Sequence, residues 1–141
     1  MSKSAAGSTL YRLIEAGQLA RQALLAPLAA RGLEAGDDAV LLGLSDPAGA
    51  TMAALVEFTG LAPDQLDARL ARLEDRDVLL RLAVGPEMEP GARLSQQGHA
   101  MRRAIEEHWA HLDETIAQDL GEKRHRHLRK GLKRIVEMLG G

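Results

Sequence analysis

Between Thr51 and Ser95 the chain is punctuated in a way that few folds accommodate. Thr51 is a good helix N-cap, Met52, Leu55, Val56 and Phe58 follow it, and Thr59-Gly60 closes the helix after barely two turns. Pro63 suits the first position of the next helix, where its missing N–H costs nothing, and Leu66, Leu70 and Leu73 form that helix's buried face. Val78 to Val84 is then an apolar run of strand length, Gly85 to Gly91 is rich in Pro and Gly, and Ala92 to Ser95 is the return strand of a short hairpin. The pattern predicts helix, tight turn, helix, and a hairpin beside them as a wing.

Helices are expected on both sides of this unit. From Thr9, the residues Leu10, Leu13, Gly17, Ala20, Leu24 and Leu28 recur at alternating three- and four-residue steps and make one stripe on a long first helix that Gly32 ends. Pro27 removes a backbone hydrogen bond and predicts a bend there. The residues before Thr9 are small and polar and are expected to fray. A short second helix follows Gly36, with Asp37 and Asp38 at its positive end and Val40, Leu41 and Leu44 inward, until Asp46-Pro47 stops it. Ser95 opens a fifth helix of about twenty residues through Met101, Ile105, Trp109, Leu112 and Ile116, and Gly121 breaks it. The last helix runs from Glu122 to Leu139, with Leu128, Leu132, Ile135 and Leu139 on one face. Only three aromatics occur among 45% hydrophobic residues, so the interior is built of aliphatic side chains, which suits packed helices. A length of 141 residues fits one domain. The expected fold is mostly α: a winged helix-turn-helix with a small β-hairpin wing and a helical dimerisation region.

Several function classes fall away. The chain has no cysteine, hence no disulfide framework and no thiolate metal site. Its N-terminus lacks the apolar core of a signal peptide and no stretch is apolar enough to span a bilayer, so a cytoplasmic protein without a membrane partner is expected. There is no nucleophile elbow, no phosphate-cradling glycine loop and no carboxylate dyad, so no enzyme, catalytic residue or cofactor is expected. His108 and His111 sit one helical turn apart, but without a carboxylate partner they do not make a metal site. The net charge of −2 conceals a strong asymmetry. Thr51–Asp75 holds Arg69 and Arg72 against Glu57, Asp64, Asp67, Glu74 and Asp75, whereas Glu122–Arg134 holds seven cations against one acid.

The segment Leu73-Glu74-Asp75-Arg76-Asp77-Val78-Leu79-Leu80-Arg81 resembles the Leu-Glu-x-x-Gly-Leu-Val-x-Arg of MarR-family transcriptional regulators, and Leu94-Ser95-Gln96-Gln97-Gly98 resembles their Leu-Thr-x-x-Gly. With the helix order, the resemblance spans nearly the whole chain. It implies a single MarR-like domain over 1–141. Helices in 9–32 and 96–139 would form a homodimer, and a winged helix-turn-helix in 36–95 would be presented to a palindromic DNA operator. It also implies release of DNA when a small aromatic or phenolic molecule, a metal or an oxidant acts between the dimer and DNA-binding parts, although without cysteine thiol oxidation is excluded. The chain departs from the family at two places. Asp64, Gln65, Asp67 and Ala68 stand where relatives present Ser or Thr and Arg to the groove, and the wing tip offers Glu87 and Glu89 where relatives carry Asp-x-Arg. Carboxylates facing phosphates are repelled, which favours a second reading: a dimer of this fold that has weakened or lost DNA binding and senses a ligand or a protein partner.

The candidate DNA contacts are Gln65, Ala68, Arg69, Arg72, Arg76, Arg81 and Arg93. Arg69 and Arg72 should project from the outer sides of the recognition helix, as base or phosphate readers or as partners of Asp67 or Asp75. Arg76, Arg81 and Arg93 flank the hairpin, either as phosphate clamps or as solubilising strand-edge charges. Tyr11 and Trp109 are candidates to stack on an aromatic effector, with dimer core as the alternative. In the resembled fold the last helix lies far from DNA, so its basic stretch is expected to be a solvated face or to pair with acids such as Asp113, Glu114 and Asp119.

Overall fold

The computed structural model describes residues 7–140, so the fraying expected of residues 1–6 lies outside the described residues. The chain divides into two compact units, one ending at Ile105 and one beginning at Glu106.

The first unit opens with α1 (Thr9–Ala30), and its start is not frayed: Ser8 Oγ accepts the Tyr11 N–H at 3.1 Å, an N-cap. Pro27 lies inside α1 without ending it, and Gly32, at φ 72°, turns the chain away. α2 (Asp37–Gly43) follows, with Val40, Leu41 and Leu44 buried as their spacing predicts. Asp37 and Asp38 do start this helix, but they are buried rather than exposed to solvent. α3 (Met52–Thr59) is capped by Thr51 Oγ1, which accepts the Ala54 N–H at 3.1 Å, and it ends on Gly60 at φ 73°. α4 (Pro63–Asp75) begins on Pro63, and Leu66, Leu70 and Leu73 have no exposed surface.

The wing is a sheet of three strands rather than two. β2 (Leu79–Val84) and β3 (Glu89–Leu94) pair antiparallel from Leu79↔Leu94 to Val84↔Glu89, and β1 (Ala50–Thr51) adds to the far edge of β3. β3 begins three residues before the expected start at Ala92, so the tip shrinks to Gly85–Met88, closed by Met88 N–H donating to Gly85 O at 3.1 Å. Pro90 stands in β3 opposite Ala83 of β2, at a position that β1, which pairs only with Ala92 and Gly91, does not reach.

α5 (Gln96–Leu120) is 25 residues long, longer than expected, and crosses the division between the units. At its start Ser95 Oγ accepts the Gly98 N–H at 3.0 Å and donates to Asp77 O at 2.6 Å. A Cβ on Gly98 would collide with the Val78 carbonyl oxygen, so this glycine lets the helix pass close to the strand entrance. The core of the first unit joins Leu28, Val40, Leu55, Leu66, Leu79 and Ile105 and contains no aromatic ring. In the second unit Gly121, at φ 82°, separates α5 from α6 (Glu122–Gly140), and α6 has no buried residue. No helix among the described residues is long and apolar enough to cross a membrane.

Candidate nucleic-acid interface

The outer surface of α4 is decided by a buried carboxylate on a different helix. Asp37 is fully buried, and its Oδ1 accepts from Arg69 Nη1 at 2.7 Å and Arg72 Nη2 at 2.5 Å, while Oδ2 accepts the Glu34 N–H at 2.7 Å. Arg69 also donates to Ala35 O at 3.1 Å, and Glu34 Oε2 lies 3.5 Å from Arg72 Nη2. A buried carboxylate must be paired and hydrogen-bonded, and two guanidinium groups plus one backbone amide meet that demand. Arg69 and Arg72 therefore do not project freely, nor do they pair with Asp67 or Asp75. They fasten α4 to the loop before α2, where Gly36, at φ 97°, leaves room for the Arg69 guanidinium.

Arg76 and Arg81 are likewise engaged. Arg76 donates to Gly32 O, and Arg81 Nη2 donates to Asp67 Oδ1 at 2.5 Å while its N–H donates to Glu74 Oε2 at 2.9 Å. Glu74 thus ties the end of α4 to the first wing strand, and Asp67 draws Arg81 toward α4. Asp77, standing where the family motif has glycine, takes up the left-handed conformation at φ 61° that Asp tolerates better than most residues. Arg93 is exposed on β3 and makes no ion pair among the described residues.

What remains outward on α4 beyond Pro63 is Asp64, Gln65, Asp67, Ala68, Ala71 and Asp75. Gln65 Oε1 accepts the Ala62 N–H at 3.3 Å and closes the start of the helix. An open groove of about 370 Å³ runs between Glu34, Gln65, Ala68, Arg69 and Arg72. Glu87 and Glu89 stand exposed on the wing. Sequence reasoning missed Asp37 as a site residue, because nothing local links it to arginines 32 and 35 positions away.

Tyr11 is 52% exposed on α1 in the first unit, and Trp109 is half-buried on α5 in the second. In the second unit none of Asp113, Glu114 and Asp119 forms an ion pair with the basic residues of α6. No group of three or more His, Asp or Glu residues among the described residues is arranged to hold a metal ion.

A helix-turn-helix whose second helix bears an open outer face, flanked by an antiparallel wing, defines a winged-helix protein. Its particular architecture is that of the MarR-family transcriptional regulators. A MarR family protein of Mycobacterium tuberculosis is 25% identical, covers 97% of this chain and 98% of its own, and superposes with a TM-score of 0.66. The Staphylococcus aureus MepR–DNA complex reaches a TM-score of 0.78 at 14% identity over 96% of this chain and 99% of that one. NadR in complex with 4-hydroxyphenylacetate gives 0.69 at 18% identity, with 96% of each chain covered. No family model matches the sequence, and no curated protein matches it.

Proposed function

We propose that this chain is a homodimeric, DNA-binding transcriptional regulator of the MarR type, cytoplasmic and non-catalytic, that acts as one domain on a palindromic operator. The observation that carries this reading is the likeness to MepR bound to DNA, which extends over both the helix-turn-helix and the wing. Gln65 and Ala68 are the proposed groove-facing residues of α4 and Arg93 the proposed wing contact, since all three are exposed. Arg69, Arg72, Arg76 and Arg81 join the contact on leaving their present partners. Dimerisation is supported by apolar side chains left exposed on α1 and α6: Leu10 and Leu19 on the first, Leu128, Leu132 and Leu139 on the second. A small aromatic effector is supported by the phenolic ligand bound in NadR, with Tyr11 or Trp109 as its proposed stacking partner. An electrophoretic shift with the DNA upstream of the chain's own gene, at low salt, tests the reading.

A second reading is favoured by one observation: the outward face of α4 shows Asp64, Asp67 and Asp75 and no unpaired cation. In that reading the dimer keeps the fold, has lost DNA affinity, and senses a ligand or protein partner. Failure of the shift with every duplex, in a folded dimer, selects it.

A further inference from the structure

We propose that α6 carries a phosphate-binding surface of its own, built to lie along the backbone of a duplex nucleic acid. Lys123, Arg124, Arg126, Arg129, Lys130, Lys133 and Arg134 place seven of the chain's 18 Lys and Arg residues on two-thirds of one helix, and all seven are exposed. None of their side chains makes an ion pair or hydrogen bond among the described residues. At 100° per residue, all but Arg124 fall within an arc of about 140°. Arg126–Lys130, Arg129–Lys133 and Lys130–Arg134 are like-charge neighbours one turn apart, which weakens a helix whose acids are Glu122 and Glu137 alone. His125, Arg126, Arg129, Lys130 and Lys133, with Glu122 at one end, line an open groove of about 590 Å³ on this face.

The geometry fits a polyanionic rail. Lys123 to Lys133 spans about 15 Å of helix axis, the length of about four phosphates at the 3.4 Å axial spacing of one duplex strand. The apolar residues Leu128, Leu132, Ile135 and Leu139 lie on the opposite side of the same helix, centred about 160° away. A basic face opposite an apolar one is also the pattern of a helix lying in a lipid headgroup layer, and the vesicle arm of the test tells the two partners apart. The apolar face suits a second copy, and the basic face is left for a separate anionic partner. This surface does not depend on the winged helix, whose outward face is acidic.

The test uses the full chain with Lys123→Gln, Arg126→Gln, Lys130→Gln and Lys133→Gln combined, changes at exposed sites to a helix-compatible residue. Fluorescence anisotropy on a random-sequence duplex across a salt series is expected to lose about 2 to 4 from the log–log salt slope and about tenfold or more in low-salt affinity. The charge-keeping variant Lys123→Arg, Lys130→Arg, Lys133→Arg should retain both. The loss should persist when Gln65→Glu and Ala68→Glu disable the α4 contact, so that failure of the winged-helix reading and failure of this one are told apart. The proposal is overturned if the fourfold variant binds with unchanged slope and affinity. It is equally overturned if the wild type binds no duplex at low salt, if the α6 effect vanishes in the α4-disabled background, or if phosphatidylserine vesicles are bound while duplex is not.

Discussion

Asp37 and Arg72 form an ion pair of 2.5 Å across 35 residues of sequence, with the carboxylate fully buried. Arg69 shares the same carboxylate oxygen at 2.7 Å, so α4 is oriented by α2 as well as by its own leucines. Removing one partner from a buried pair leaves the others uncompensated, and here the arginines keep some access to water, at 22% and 29% side-chain exposure. Asp37→Ala should therefore destabilise the protein by about 2–4 kcal/mol in urea denaturation, near the lower part of the range for buried pairs. Asp37→Asn should cost less and, by releasing two guanidinium groups, should raise nonspecific duplex affinity at low salt. An unchanged affinity in a folded Asp37→Asn protein would show that the two arginines do not reach phosphate.

The exposed apolar residues of α6 yield a prediction on assembly. Leu132 is 39% exposed and Leu128 41%, on the side opposite the cations. Leu132→Glu should turn a dimer into a monomer in light scattering at micromolar concentration, with helix content retained. A wild type that is already monomeric would refute the proposed dimer.

His99 sets a pH dependence. Burial, and then the charges of Arg102 and Arg103, lower its pKa from the usual 6.5. With the folded value below the unfolded one, the unfolded chain takes up the proton first as pH falls. Stability is therefore fully present above about pH 6.5 and declines below it. Urea midpoints should fall between about pH 7.5 and pH 5.5, and His99→Gln should flatten part of that fall. A midpoint independent of pH over this range would contradict it.

Much of this fold is legible in the sequence because its signals are local. Pro63 followed by Leu66, Leu70 and Leu73 can hardly be read except as a helix with one buried face, and Thr51, Gly60 and Gly121 mark the ends they are found to mark. The missed features are long-range or very short. β1 is two residues with no periodicity, and it exists only because β3 offers Ala92 and Gly91 to pair with. The start of β3 was hidden by Pro90 and Gly91, which read as turn residues. The same limit applies to the site: the spacing that puts Arg69 and Arg72 on the flanks of α4 is sound, but it cannot reveal that a carboxylate from another helix waits there. The left-handed Asp77 and the close approach at Gly98 explain in physical terms why the two family-like motifs hold these positions.

Whether this winged helix is directed at DNA can be tested directly through the acidic surface of α4. Affinity of the folded protein for its own upstream DNA and for an unrelated duplex is measured at low salt, in the wild type and in Asp64→Asn with Asp67→Ser. Those changes remove two repelled carboxylates and release Arg81 from its 2.5 Å pair with Asp67. The wild type is expected to bind its upstream DNA in preference to the unrelated duplex, and the double variant to bind both more tightly, most of all at the lowest salt. Wild-type protein that binds no duplex under these conditions, while remaining folded and dimeric, would contradict it.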